Sequence, residues 1–147
     1  MKTLIIILLF SASIIQAQTL VLSTGVEKTV ANTESQFMMG YQSKKQRSIG
    51  TFYQNNVNRF ISENNPKQSY WYGVFTALPI AKSEKISVYA MLRAGLMDEQ
   101  FVVIVPSLET KIKVSKWLAV GVASSYRQGY PAFSFKTQFS LFNQSTL

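Results

Sequence analysis

The stretch A132-F-S-F-K-T-Q-F-S-L-F142 decides how this chain is read. In an extended chain, side chains alternate between two faces with period two. Phe133, Phe135, Phe139 and Leu141 then share one side with Thr137, and Ser134, Lys136, Gln138 and Ser140 share the other. What stands against the phenylalanine side, a protein core or lipid, governs every functional reading.

The same alternation extends upstream. In 84–95, Ile86, Val88, Ala90, Leu92 and Ala94 oppose Ser87, Tyr89, Met91, Arg93 and Gly95. In 101–113, Val102, Ile104, Leu108 and Ile112, with Pro106 and Thr110, oppose Ser107, Glu109, Lys111 and Lys113, a face that begins with apolar Phe101, Val103 and Val105. In 117–127, Leu118, Val120, Val122 and Tyr126 oppose Ala119, Gly121, Ala123, Ser125 and Arg127. Further strands are predicted at 19–25, 35–43, 47–56 and 70–80, with mixed faces in 35–43 and 47–56. Polar breaks between runs of Val, Ile, Phe, Tyr and Thr point to an antiparallel all-β sandwich or barrel. No long amphipathic helix follows the N-terminal segment. Pro106 lies within a strand, where it removes a ladder hydrogen bond, so a bulge or break is expected there.

Residues 1–17 read as an export signal: Lys2, then the apolar run from Leu4 to Phe10 continued through Ile14 and Ile15, then small Ala17. The domain is then 18–147. Connections at 44–46, 81–83 and 114–116 are short, whereas 26–34, 57–69, 96–100 and 128–131 form the other end, two of them long. "SENNPKQ" (62–68) is the clearest loop.

The 147 residues contain neither cysteine nor histidine. Disulfides, thiolate chemistry, Ser-His-Asp catalysis and ordinary zinc sites are thereby excluded, and no cofactor or metal is expected. The net charge of +8 is spread, with Lys44, Lys45 and Arg47 the only cluster, so no nucleic-acid reader is indicated. Lys44, Lys45, Lys82, Lys85 and Lys116 gather at the short turns and suit either anionic headgroups or simple solubility. The sequon "NQS" at 143–145 is given no role.

Three features favour lipid over a protein core. Aromatic residues cluster near the strand ends: Tyr70, Trp71, Tyr72 and Tyr126, with Tyr130 and Phe133, at one end, Trp117 and Phe142 at the other, as an interfacial girdle requires. The polar face mixes small residues with isolated charges, suiting the narrow interior of an eight-stranded barrel. The strands match the ~9–11 residues that cross a bilayer at a tilt. The chain is accordingly predicted to be an eight-stranded antiparallel up-and-down transmembrane barrel. Phe133, Phe135, Phe139 and Leu141 would face lipid, and Arg93, Glu109, Lys111, Lys136 and Gln138 would form a polar network in the lumen. Glu109 is the only acid placed mid-strand on the polar face, close to Gly121 and Gln138. It reads as one side of an internal ion pair rather than as a proton relay, because a confined charge must be compensated.

This combination of export signal, even strand count, alternation of short turns with longer loops and an aromatic-ended last strand resembles the small eight-stranded outer-membrane barrels of Gram-negative bacteria, the outer membrane protein X/A-like families. The resemblance is one of pattern and covers 18–147. It implies an outer-membrane location, lipid and the barrel-assembly machinery as partners, and recognition of a final aromatic residue. Phe142 matches that residue, although "NQSTL" follows it. Enzymes of this class generally place a histidine at the active site, which this chain lacks. A non-enzymatic role in structure, adhesion or surface interaction is expected, with Arg59, Phe60 and Asn65 of the 57–69 loop as contact residues, or a narrow porin-like solute channel. The alternative is a secreted or periplasmic calycin-like carrier, with the phenylalanines lining an apolar pocket and Lys136 in water.

Overall fold

The computed structural model describes residues 17–30, 32–56, 70–127 and 129–141. They form eight strands: β1 (Ala17–Thr29), β2 (Thr33–Ser43), β3 (Ser48–Asn56), β4 (Tyr70–Lys82), β5 (Ile86–Met97), β6 (Phe101–Lys113), β7 (Leu118–Arg127) and β8 (Tyr130–Leu141). Each pairs antiparallel with its sequence neighbour, and β1 pairs with β8, closing an up-and-down barrel. Closure leaves no edge strand, which is the condition for a sheet to sit in hydrocarbon. The expectations for residues 1–16 of the signal segment, the 57–69 loop and Phe142 lie outside the described residues; Ala17, the last residue assigned to the signal, is the first of β1 and pairs with Ser43.

Two hairpins show how local chemistry sets the turns. Gln46 donates its backbone N–H to Ser43 and then adopts a left-handed conformation at φ 61°. At the opposite rim, Asp98 and Glu99 are both left-handed, and the Asp98 carboxylate accepts the Tyr70 N–H at 2.9 Å, tying this turn to the start of β4.

The strands extend further than the sequence pattern indicated. β1 runs on to Thr29 and β2 starts at Thr33, so the connection expected over 26–34 shrinks to a tight turn in which Thr29 and Asn32 exchange hydrogen bonds. Likewise, β8 begins at Tyr130, two residues before the expected start. Short and long connections therefore do not alternate: those from β1 to β2, β5 to β6 and β7 to β8 are as short as the turns at the other end.

Pro106 brings no bulge. It pairs in register with Leu92, and the β6–β7 ladder starts one residue later, at Ser107. The proline thus lies where β6 runs beyond its pairing with β7, so it interrupts no continuous ladder on that side. The register shift belongs to another proline, between Pro79 and Ala81 on β4.

Glycines let neighbouring strands approach inside the barrel. Gly40 faces Gly50 across β2–β3, and Gly73 faces Gly95 across β4–β5. A Cβ at Gly40 would lie 2.5 Å from the Ile49 carbonyl oxygen and 2.9 Å from the Phe75 ring. Absence of a side chain at this position admits both the curvature of the wall and the phenylalanine within.

Candidate functional site: the filled lumen and its apolar exterior

Strand phase separates the side chains into an enclosed set and an exposed set. Of the first stretch considered, Phe133 is 66% and Phe135 57% exposed, whereas Lys136 is 3% exposed and Gln138 and Ser134 are buried. Leu141 is exposed, and Phe139 is half-buried under the stacked Trp117 ring at 6.0 Å. The two strands with mixed faces are resolved by the same rule: Gln36, Met38, Ser48, Phe52 and Gln54 point inward, and Phe37, Met39, Tyr41, Ile49 and Tyr53 outward. The outer surface continues through Val74, Leu78, Leu92, Ile104, Leu108, Ile112 and Val122. A contiguous apolar exterior of this extent is far more than a water-soluble monomer ordinarily shows.

Among the aromatic residues expected at the rims, Tyr72, Trp117 and Tyr126 are exposed, and Tyr70 stacks on Tyr72 at 6.3 Å. Trp71 is different. It is 1% exposed, inside the barrel, packed edge-on against Phe52 at 4.5 Å. Its odd number gives it the phase of Phe75 and Ala77, which also point inward, so the rim assignment is corrected by the pleat itself.

The expected polar network is two clusters. Towards the rim bearing the 98–100 turn, Arg93 of β5 donates to Glu27 of β1 at 2.8 Å and to Gln54 of β3 at 2.9 Å. Gln54 in turn donates to Glu27 at 2.9 Å and to Glu34 of β2 at 2.7 Å. Arg127 of β7 grips the Glu34 carboxylate with both terminal nitrogens, one at 2.8 Å, and approaches Glu27 to 3.8 Å. The Arg93 guanidinium also lies 4.9 Å from the centre of the Trp71 ring, within cation–π range. Two carboxylates thus meet two guanidiniums, and the cluster is neutral.

The second cluster lies nearer the opposite rim. Lys111 donates to Gln138 at 2.6 Å and stands 4.5 Å above the Tyr89 ring. Glu109 meets Lys111 and Lys136 at 3.6 Å each, and Lys136 also lies 3.9 Å from the Met91 sulfur. Here one carboxylate serves two ammonium groups at longer range.

Arg93 therefore belongs with Glu27, away from Glu109. Glu109 is also not the only strand acid facing inward, since Glu27 and Glu34 are both buried. Glu109 pairs with Ala123 and Lys111 with Gly121, and the Glu109 carboxylate lies beside Gly121 as expected, its Oε1 3.4 Å from where a Cβ there would stand. Glu27, Glu34, Gln54 and Arg127 are interior groups that the sequence reading had not assigned to the network. Between the clusters lies a hydrophobic layer that was likewise not foreseen: Met38, Phe52, Trp71, Phe75 and Met91 belong to one buried group. Along β5 the inward residues run Arg93, Met91, Tyr89, giving ionic, apolar and aromatic levels in order. Where the apolar layer meets Glu109, Lys111 and Gln138, the free space is about 10 Å³, the room of one water molecule. No cluster of potential metal ligands is present among the described residues.

A closed eight-stranded antiparallel barrel with apolar side chains outside and ion pairs within defines the class: this is the fold of the small outer-membrane β-barrels. No protein-family model matches the sequence, and no curated protein does. Solved structures do match. A de novo designed transmembrane β-barrel superposes with a TM-score of 0.71 at 11% identity, covering 85% of this chain and 97% of the design. The N-terminal β-barrel domain of Pseudomonas aeruginosa OprF gives 0.63 at 7% identity, over 85% and 98% of the two chains. The Yersinia pestis outer membrane protein Ail, in a phospholipid bilayer nanodisc, gives 0.58 at 10% identity, over 84% and 99%. At these identities the likeness is one of fold.

Proposed function

We propose that this protein is a non-enzymatic integral outer-membrane barrel, exported by its first seventeen residues, that serves as a structural or surface-interaction element. The observation that carries the reading is the inverted side-chain distribution. Phe133, Phe135, Ile104, Leu108 and Val122 cover the outside, while Arg93, Glu27, Glu109 and Lys136 are enclosed. A lipid-facing belt and a compensated interior are what a bilayer demands of a barrel. A carrier for apolar ligands requires the opposite arrangement.

The filled interior argues against a pore. The Trp71–Phe52 contact and the Arg93, Gln54 and Arg127 bridges occupy the cross-section, as expected of eight strands, whose interior is just wide enough for side chains. Contact with partners would then fall to the connections at the rim, among them 57–69. Lys44, Lys45 and Arg47 are suited to anionic headgroups at the other rim.

Fractionation tests the reading. The protein should stay in the detergent-requiring envelope fraction and show different gel mobility before and after heating. Release in soluble form by osmotic shock would overturn it.

A further inference from the structure

At the rim formed by turns 44–47, 83–85 and 114–117, the lumen opens into a cavity of about 340 Å³. Its charged lining is one-sided: Lys82, Lys85, Lys111, Lys113 and Lys116, against the single acid Glu84. Lys113 and Lys111 follow each other on the inward face of β6. Lys82 reaches the mouth through the β4 irregularity. The register passes from Pro79↔Tyr89 to Ala81↔Val88, so Ile80 is the extra residue and Lys82 comes opposite inward-facing Ser87. Without that bulge the lysine would point to the exterior.

The floor reinforces the excess. Lys111 lies there, fixed by Gln138 at 2.6 Å. Behind it, Glu109 is shared between Lys111 and Lys136, each at 3.6 Å, beyond hydrogen-bonding distance. Positive charge in a confined interior is costly unless compensated, and the interior acid is already divided between two cations. The mouth above Lys111 has room for a further negative charge. Further in, a small cavity between Met38, Phe75, Met91 and Glu109 holds about 10 Å³, the room of one water. The mouth cavity, at about 340 Å³, is of a size at the lower bound for small-molecule sites, ~300 Å³.

We infer that this mouth is a binding site for a small, multiply charged oxyanion of the phosphate class, held by Lys111 at the base and by Lys82, Lys85, Lys113 and Lys116 around it. The inference rests on the barrel interior and does not depend on the membrane reading. Lys44 and Lys45, on the adjacent turn, do not line this cavity and provide a control of equal charge.

The test is calorimetric titration of the full chain, refolded in zwitterionic detergent, with pyrophosphate. Saturable one-to-one binding is expected. K111Q should weaken it at least tenfold, and so should K113Q/K116Q, whose side chains are exposed and bury nothing when changed. K44Q/K45Q should change it less than twofold. Phosphatidylglycerol in mixed micelles should not displace the anion. Absence of saturable binding, equal losses in the mouth and control variants, or displacement by the lipid headgroup would each overturn the assignment to a soluble oxyanion. Heat-dependent gel mobility establishes that each variant is folded, and K113Q/K116Q keeps the test decisive if K111Q is not.

Discussion

Arg93 and Glu27 join opposite walls of the barrel: their strands, β5 and β1, stand four apart in the closed ring of eight, and the guanidinium meets the carboxylate at 2.8 Å. Each side chain is 1% exposed. The pair is a strut across the lumen, and Gln54 and Arg127 extend it to β3 and β7.

Removing one partner strands the other. In R93A, Glu27 would keep Gln54 and a distant Arg127 as its compensation. The expected loss is about 3–5 kcal/mol, the usual cost of breaking a buried pair on one side. Replacing both, as E27L/R93M, should recover most of that loss, since a dry apolar pair leaves no charge unmatched. Urea unfolding midpoints in detergent check this. A single-variant loss below about 1 kcal/mol, the range of a solvent-exposed pair, would contradict the strut.

Where the alternation was strict, the sequence was readable almost residue by residue. Phe133, Phe135, Lys136 and Gln138 lie on the sides their phase dictates. Glu27 and Glu34 fall in "EKTVANTE" (27–34), which reads as a connection, yet β1 and β2 carry both acids inward to meet Arg93 and Arg127. No local signal marks such acids; only the distant arginines supply their partners. Trp71, near a strand end between two tyrosines, reads as a rim residue, whereas the phase set by Phe75 and Ala77 points it inside. Pro79 and Pro106 show the same limit. The residue type announces a disturbed ladder, but the strand pairing decides which proline has one.

Phe135 distinguishes lipid from water directly. It pairs with Val26 on β1 and Val122 on β7, midway along β8. F135R should destabilise the barrel in lipid vesicles by about 2–4 kcal/mol, as charge at mid-bilayer does. In a water-soluble barrel the same change on an exposed residue would be nearly neutral. Vesicle-based unfolding titrations measure the difference, and a neutral result contradicts the lipid assignment.

Gly40 admits the Phe75 ring into the lumen. G40A would put a methyl group 2.9 Å from that ring and 2.5 Å from the Ile49 carbonyl. A loss of about 1–3 kcal/mol is expected, the range for overpacking, and F75L should relieve part of it in the double variant. Additive effects, measured by thermal unfolding, would show that the two residues do not share the space.

Glu109 serves as the shared counter-charge of Lys111 and Lys136. E109A should lower thermal stability and leave planar-bilayer conductance where it is for the unaltered barrel, at the background of the lipid alone. A change of conductance in an intact E109A barrel would assign the carboxylate to ion or proton movement instead.

The absence of cysteine makes site-directed spin labelling the most direct test of which side chains meet lipid. Single cysteines at Phe133, Phe135 and Ser134, labelled and refolded into vesicles, would be scored for collision with oxygen, which concentrates in hydrocarbon, and with a water-soluble nickel complex. Labels at 133 and 135 should collide chiefly with oxygen, and the label at 134 with neither. Strong collision of the 135 label with the nickel complex would contradict the account, because the phenylalanine face would then stand in water.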